Sequence, residues 1–251
     1  MTLEFLDKGG DIRGAILFFK FNQEKTNLFE LKKGYARGGH SHDYDIIHTL
    51  ISGTIEHRTK SIYSSDEIIE TVSAPAILKI PANTANLIVA LEDSIFSEIF
   101  QSEYKSIVYS EYRDIVLKKI KNENTSNSEN KLVIENTIED DRGKIFFLKF
   151  GYKKINFIEL KKGFARGGHF HPFDSEHIIL SGKIKYLEKN LQLDEESEKF
   201  YQAPSIIKTK AELAHLFVGL DDTVFIETYD GEYTATYYPD YRKQVEEKLD
   251  L

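Results

Sequence analysis

The chain of 251 residues contains much of its own sequence twice, and this repeat constrains the fold more than any other feature. Residues 27–57 and residues 156–186 share 17 of 31 amino acids at a constant offset of 129. The same offset aligns the chain from about residue 11 to about residue 119 without an insertion. A repeat of this length is a whole domain rather than one unit of a solenoid. The sequence therefore predicts two domains in tandem.

A polar segment separates the two copies. Residues 121–131 read KNENTSNSENK, a composition typical of a solvated linker. We therefore expect an N-terminal domain over residues 1–124 and a C-terminal domain over residues 125–251, with the linker at about 121–131. Each domain is long enough to bury a core of its own.

Short apolar runs recur through each copy and indicate strands. Ala15–Phe21 and Ile145–Phe150 are two of them, and each follows an Arg-Gly pair. Such runs, separated by turn residues at intervals of roughly 8–12 residues, are typical of a sandwich or barrel. A charged, helix-favouring stretch ends each copy, at residues 112–120 and 241–249. We predict an all-β chain in which each copy is a small antiparallel barrel followed by a short helix.

Composition excludes several classes of function and site. The chain carries 33 Lys and Arg against 41 Asp and Glu, a net charge of −8, so a general nucleic-acid partner is not expected. It has no cysteine, which excludes disulfides, thiolate nucleophiles and cysteine-ligated metals. No apolar run approaches the roughly 20 residues of a membrane span, and the first residues lack signal-peptide features. We expect a cytoplasmic protein whose metal ligands, if any, are nitrogen and oxygen atoms.

Three histidines recur at matched positions in the two copies. Residues two apart on a strand face the same side, so His40 with His42, and His169 with His171, can converge inside a barrel. Imidazole and carboxylate ligands suit a divalent transition metal, and Zn, Fe, Ni, Mn and Cu all remain open. The second copy has the fuller set of candidate ligands, which are His169, His171, His177 and His215.

Two details of the candidate metal sites remain open. Glu176 is an alternative to His177, and we favour His177 because it recurs in the first copy, whereas Glu176 aligns with Ile47. The first copy is a second, poorer candidate site because it has Asn86 in place of His215. Its histidines are His40, His42 and His48.

These motifs resemble those of the cupin family, and the resemblance covers nearly the whole chain. Gly163, His169, His171 and Glu176 match the first cupin motif, Gly-x5-His-x-His-x4-Glu. The second motif, Pro-x-Gly-x-x-His, is only partly kept, with His215 in its histidine position. The resemblance implies a bicupin, that is, two tandem jelly-roll barrels.

A narrower resemblance is to the nucleotide-sugar cupins, the dTDP-4-keto-6-deoxyhexose 3,4-ketoisomerases and 3,5-epimerases. It rests on Arg-Gly-x-His-x-His, which begins at Arg37 and at Arg166. The resemblance implies that these arginines grip a nucleotide diphosphate. It also implies that His40 and His169 remove a proton beside a sugar ketone, a task suited to neutral imidazole. The tyrosine that the ketoisomerases carry before this motif is absent here.

Three hypotheses about function follow. The first is a sugar isomerase or epimerase that acts on a nucleotide-linked or similar sugar by base-catalysed proton transfer. The second is a metal-dependent cupin enzyme, an oxygenase or isomerase of a small carboxylate or keto substrate. The third is a non-catalytic module that binds a sugar or metabolite. In each case we expect a small-molecule partner, no membrane partner, and either a monomeric pseudo-dimer or a homodimer.

Overall fold

A computed structural model describes residues 2–22, 24–100, 105–122, 131–247 and 249. The chain divides into two compact units, residues 4–131 and residues 132–251, and residues 1–3 group with the second. We call these units the first and second barrel. Most of the predicted linker, residues 123–130, lies outside the described residues. In the described part of the chain, neither helix is long and apolar enough to cross a membrane.

The first barrel consists of two antiparallel sheets and a helix. The six-stranded sheet has the order β1 (Leu3–Asp11), β2 (Gly14–Phe21), β3 (Glu24–Leu31), β10 (Ser94–Phe100), β5 (Ile46–Ser52) and β8 (Ala76–Ile80). The five-stranded sheet has the order β11 (Ile107–Val108), β4 (Ala36–Ser41), β9 (Thr84–Ala90), β6 (Thr54–Ser61) and β7 (Glu67–Ser73). The helix α1 spans Ser110–Asn122.

The second barrel repeats this arrangement. Its six-stranded sheet has the order β12 (Leu132–Asp140), β13 (Gly143–Phe150), β14 (Lys153–Leu160), β21 (Thr223–Asp230), β16 (Ser175–Ser181) and β19 (Ser205–Thr209). Its five-stranded sheet has the order β18 (Glu195–Gln202), β17 (Lys183–Asn190), β20 (Leu213–Gly219), β15 (Ala165–Phe170) and β22 (Thr236–Tyr237). The helix α2 spans Pro239–Glu246.

In each barrel the first three strands lie in one sheet, and apart from one hairpin, β6–β7 or β17–β18, the strands that follow alternate between the two sheets, as in a jelly roll. Ile158, Ile179 and Phe225 are buried in one apolar cluster of the second barrel. Tyr241 and Val245 bury the inner face of α2 in another cluster, against the five-stranded sheet. The prediction of an all-β chain with two tandem jelly-roll barrels and short C-terminal helices is confirmed.

A glycine at the end of β16 permits the tight turn into β17. Gly182 has a φ of +88°, a conformation that favours glycine. A Cβ atom there would lie 2.5 Å from the backbone oxygen of Asp222 and 2.8 Å from Cα of Thr223. The first barrel has Gly53 at the same position, with a φ of +89°. The turn therefore requires both the left-handed conformation and the missing side chain.

We expect Gly182→Ala to destabilise the second barrel by more than about 2 kcal/mol, since backbone strain and a steric clash add. Gly231→Ala is the matched control, because Gly231 has the same φ of +88° but nothing within 4 Å of an added Cβ. That control isolates the conformational cost of about 1 kcal/mol. Denaturant unfolding measures both, and equal losses would show that the close contact at Gly182 is relieved without cost.

Candidate metal centre

Five polar side chains project into the interior of the second barrel from four strands or their ends. His169 lies on β15, and His171 directly follows that strand. In the sheet registers, His169 is opposite His215 of β20, and His177 of β16 is opposite Glu227 of β21. Strand pairing thus brings together residues that lie up to 58 positions apart in the chain.

A glycine lets β15 approach β20 closely at this point, and the next glycine lets α2 approach β15. Gly167 has a φ of +98°, and a Cβ atom there would lie 2.7 Å from the backbone oxygen of His215. The register of the two strands shifts between Gly167 and His169. Such a bulge re-aims the side chains that follow it. The Gly-Gly pair of the repeated ARGGH segment therefore sets the direction of His169.

The ligand atoms form two overlapping sets. His169, His171 and His215 make one, and His177, His215 and Glu227 make the other; within each set the ligand atoms lie within 4.8 Å of one another. His171, His177 and His215 are at most 2% exposed. Imidazole with carboxylate is a donor set for divalent transition metals. The second barrel therefore contains a cluster that could hold such a metal, as the sequence predicted.

The hydrogen bonds of His171 leave its other ring nitrogen available for a cation. Its Nδ1 is 2.8 Å from the backbone oxygen of Thr234, and because a carbonyl only accepts, Nδ1 carries the proton. In the neutral ring, the Nε2 atom then holds a lone pair. That atom is buried, has no hydrogen-bond partner among the described residues, and lies 3.9 Å from Oε1 of Glu227. Two facing acceptors at this distance are stabilised by a cation, so the residues fit a metal.

Glu227 is the buried carboxylate of the cluster. Its Oε2 accepts a hydrogen bond of 2.8 Å from Nδ2 of Asn156, and its Oε1 lies 3.4 Å from Nε2 of His177. Burial alone would raise the pKa of this carboxyl. The contacts with His177 and Asn156 outweigh burial and hold the pKa well below its usual range. Glu227 is therefore an ionised ligand or counter-charge.

Burial has the opposite consequence for two of the histidines, because it disfavours their protonated forms. It lowers the pKa of His169 to about 4, although the charge of Glu227 acts against this, and it lowers the pKa of His215 well below the usual value. Both rings are thus neutral at pH 7. A neutral imidazole is the form that binds metals. A base with a pKa of about 4 is poorly matched to proton abstraction at neutral pH.

A tyrosine lies beside the cluster. The hydroxyl of Tyr233 is 3.3 Å from Nε2 of His169, and its ring packs edge-on against His171 at 5.0 Å between centroids. The side chain is 49% exposed, so it connects the cluster with solvent. Desolvation and the charge of Glu227 raise its pKa, which keeps the hydroxyl protonated.

Not every candidate residue joins this cluster. Glu176 lies on the opposite face of β16 from His177, and its Oε1 is 3.7 Å from Nζ of Lys208. The structure therefore does not bring the alternative ligand Glu176 to the site. The four predicted histidines do converge, but neither ligand set contains all of them. The first set contains His169 and His171, the second contains His177, and His215 belongs to both.

The two arginines predicted to act in catalysis line the cavities of their barrels. Arg166 donates to the backbone oxygens of Gly143 at 2.8 Å and Glu159 at 3.1 Å, and it contacts Asp140 at 3.2 Å. Desolvation lowers its pKa, and that of Arg37, to about 10, so both remain charged at pH 7. Much of the hydrogen-bonding capacity of Arg166 is used within the protein. A role of either arginine in catalysis remains a prediction.

The first barrel has the same plan but lacks one imidazole. His40 and His48 occupy the matched strands, and His42 is bonded through Nδ1 to the backbone oxygen of Lys105 at 2.7 Å. Asn86 is paired with His40 where the second barrel pairs His215 with His169. Within the described ranges, three-residue ligand sets occur in the second barrel and not in the first.

Sequence reasoning missed three residues of this site as members: Asn156, Glu227 and Tyr233. A signal for them was present, because Asn27, Tyr104 and Glu98 stand at the matched positions of the first copy. A carboxylate repeated on an otherwise apolar strand is a candidate for a buried functional group. The signal is weaker for Tyr233, since this residue follows β21 in a tyrosine-rich segment.

No protein-family model matches the chain, and no curated protein does. Solved structures similar to it include oxalate decarboxylase from Bacillus subtilis, 16% identical over 94% of this chain and 78% of that one, with a TM-score of 0.42. Another is the formate complex of Lactobacillus farciminis oxalate decarboxylase, 14% identical over 96% and 89%, also with a TM-score of 0.42. A further structure concerns the Mn(II) centres of the Bacillus subtilis enzyme, with 16% identity and a TM-score of 0.42.

A pair of reciprocal substitutions tests the difference between the barrels. We expect about one equivalent of metal per chain in the natural protein, little in His215→Asn and about two in Asn86→His, because each substitution removes or supplies one imidazole. Elemental analysis after gel filtration with Mn²⁺ or Zn²⁺ measures this.

His57→Asn is the control for the reciprocal pair, since His57 is buried in the first barrel and bonded to Glu70 at 3.1 Å, outside the cluster. It should leave the metal content unchanged. Undiminished metal in folded His215→Asn would contradict the assignment of this histidine.

Proposed function

We propose that this chain is a metal-dependent enzyme with its active centre in the second barrel. The observation that carries the proposal is the pair of acceptors, Nε2 of His171 and Oε1 of Glu227, that face each other across 3.9 Å beside the rings of His169 and His215. Such an arrangement is costly to bury unless a cation lies among these groups. Its substrate is a small carboxylate or keto compound.

The histidines would hold the metal, and the carboxylate would balance its charge. When bound, a divalent metal polarises a substrate oxygen or provides redox chemistry. His169, His171 and His215 supply imidazole nitrogens, and Glu227 supplies an oxygen or a counter-charge. Asn156 and His177 keep the Glu227 carboxylate in one orientation by bonding both of its oxygens. The ring of His171 is held by its bond to the Thr234 backbone.

The cavity around this cluster suits a small polar molecule. It has a volume of about 750 Å³, which is enough for a small organic molecule. Its lining includes the cations Arg142, Lys154, Arg166 and Arg242 and the acids Glu135, Glu227 and Glu232. The four cations are paired with carboxylates of the protein, so a bound metal would be the main attraction for a substrate carboxylate. Apolar walls from Ile158, Phe217 and Phe225 exclude water from the inner part.

Tyr233 is placed to donate a hydrogen bond. Its hydroxyl is next to His169, so it can donate a hydrogen bond to a substrate oxygen beside the cluster. The raised pKa keeps the hydroxyl protonated at neutral pH.

The sugar-isomerase hypothesis has less support than this one. Its proton-abstracting base would be His169, whose burial leaves it a weak base, and its diphosphate grip would be Arg166, which is engaged by Asp140 and two carbonyls. We retain the metal-dependent enzyme as the function that the site supports best.

The first experiment is metal analysis followed by a substrate survey. Purified protein is loaded with Mn²⁺, Fe²⁺ or Zn²⁺ and offered small dicarboxylates and 2-oxo acids, with product analysis by NMR and with an oxygen electrode. We expect turnover that chelation abolishes and metal restores. Oxygen uptake would identify an oxygenase, and turnover without it an isomerase or lyase. Metal binding without turnover of any compound would favour the binding-module hypothesis.

The carboxylate is tested by Glu227→Gln, which keeps the shape and the contact with Asn156 but removes the charge. We expect metal affinity to fall at least about tenfold, since supporting and ligating groups of a metal site carry effects of this size. Isothermal titration with Zn²⁺ measures it. Glu176→Gln is the matched control on the outer face of β16, and it should bind as the natural protein does. Equal Zn²⁺ affinities for the natural protein and the two variants would show that Glu227 takes no part in metal binding.

The tyrosine is tested by Tyr233→Phe. We expect kcat to fall about 10²-fold on the substrate found above, because a positioned hydrogen-bond donor to a developing oxyanion contributes about this much, while metal content stays the same. Tyr152→Phe is the control, since Tyr152 is 92% exposed. An unchanged kcat in Tyr233→Phe would show that the hydroxyl has no role in turnover and that the side chain contributes packing.

A further inference from the structure

The cavities of the two barrels differ in the hydrogen-bond partners of the arginines that line them. It has a volume of about 640 Å³ and is lined by Arg37, Arg113, Phe29, Phe96 and Asn86 among others. The internal repeat provides a matched reference for each of these residues, at a position 129 further along the chain. Differences between matched residues therefore indicate what each cavity is suited to bind.

Arg37 has fewer partners than its counterpart. Arg166 donates through Nε to the Glu159 backbone oxygen at 3.1 Å and contacts Asp140 at 3.2 Å. Arg37 keeps only the matched bond from Nη2 to the Gly14 oxygen, at 3.0 Å, and lies 3.9 Å from Asp11. Its Nε is buried without a hydrogen-bond partner in the described chain, although the residue is only 8% exposed. A buried, charged donor without an acceptor is unfavourable unless a ligand supplies one.

Arg113 has lost the partners of its counterpart as well. Arg242 bonds Glu246 at 3.2 Å, one helical turn away, and lies 4.6 Å from the ring centroid of Tyr237. The residues matched to these partners in the first barrel are Leu117 and Val108, so neither a carboxylate nor an aromatic ring stands there. Both arginines therefore face the first cavity with donors that the second barrel uses internally.

The balance of charge in the first cavity is positive. Its lining includes Arg13, Lys25, Arg37 and Arg113 against Asp7 and Glu98, which is four cations and two acids. Arg13 is bonded to Asp11, so three cations remain against the two acids. Oε1 of Glu98 lies 3.4 Å from Nε2 of His48. An anion is thus favoured over a cation.

The apolar part of this cavity is largely aromatic. Phe29 and Phe96 are stacked with their ring centroids 5.0 Å apart and an interplanar angle of 12°. The guanidinium of Arg37 lies 5.5 Å from the Phe29 centroid, so charge and aromatic surface adjoin. Ile88 completes this wall in place of Phe217 of the second barrel. Planar apolar groups pack well on such a surface.

We propose that the first barrel is a metal-independent binding site for a small organic anion, a carboxylate on a planar apolar body. The carboxylate accepts hydrogen bonds from Nε and from the second hydrogen of Nη2 of Arg37, which lie on the same side of the guanidinium, with Arg113 as a second cation, and the body packs on the wall formed by Phe29, Phe96 and Ile88. Asn86, in place of an imidazole, removes the competing metal. This site is independent of the metal centre proposed for the second barrel.

Benzoate and its neutral analogue benzamide are the probes. Both are titrated into the full chain and followed by isothermal titration and thermal unfolding. We expect benzoate to bind at one site per chain, with or without a chelator, and to stabilise the protein, whereas benzamide binds at least about tenfold more weakly, because a charge-assisted, bidentate contact is lost. Equal binding of the two probes, or loss of benzoate binding on chelation, would overturn the proposal.

Two variants locate the site. Arg37→Gln should weaken benzoate binding at least about tenfold, and Arg58→Gln, on β6 and paired with Glu56 at 2.7 Å, should not. Should Arg37→Gln fail to fold, Ile88→Phe gives the same test with Arg37 intact. It places in the first cavity the side chain that the second barrel accommodates at Phe217, and it should obstruct benzoate. Undiminished binding in folded Arg37→Gln or in Ile88→Phe would place the benzoate elsewhere and refute the site.

Discussion

The interior of a jelly roll excludes water, so each imidazole or carboxylate placed there needs a partner from the protein or a ligand. In the second barrel, one continuous set of contacts meets most of this need. Asn156 bonds Glu227, Glu227 contacts His177, and a backbone carbonyl fixes the ring of His171. Among the described groups without a hydrogen-bond partner is the nitrogen of His171 that faces the carboxylate. The proposed metal would bind to this nitrogen.

The same requirement leads to a different result in the first barrel. The histidines and the carboxylate recur, but Asn86 stands where the shared ligand of the two sets would be, and the described part of the first barrel buries a donor without a partner, Nε of Arg37. An unsatisfied donor is stabilised by an anion. The two barrels share one ancestral plan and therefore differ in the ligand that we propose for each.

Much of the fold could be predicted from the sequence because its signals are local: short apolar runs, turn glycines and a long repeat. The histidines could be predicted because strand alternation places His169 and His171 on one side. Glu176 and His177 are neighbours on β16, so only one of them can face the interior. A shift of the strand by one residue would exchange them. Glu227 meets Asn156 only through pairing of β14 with β21, 71 residues apart, which no local pattern encodes.

The difference at residues 86 and 215 has a consequence for how such proteins change over generations. Codons for asparagine and histidine differ at a single nucleotide, in the first position. A barrel of this kind can therefore gain or lose its shared ligand by one base change, while the rest of its polar interior stays in place. Gene duplication supplied a second copy in which that change could persist, because the other copy kept the original residue.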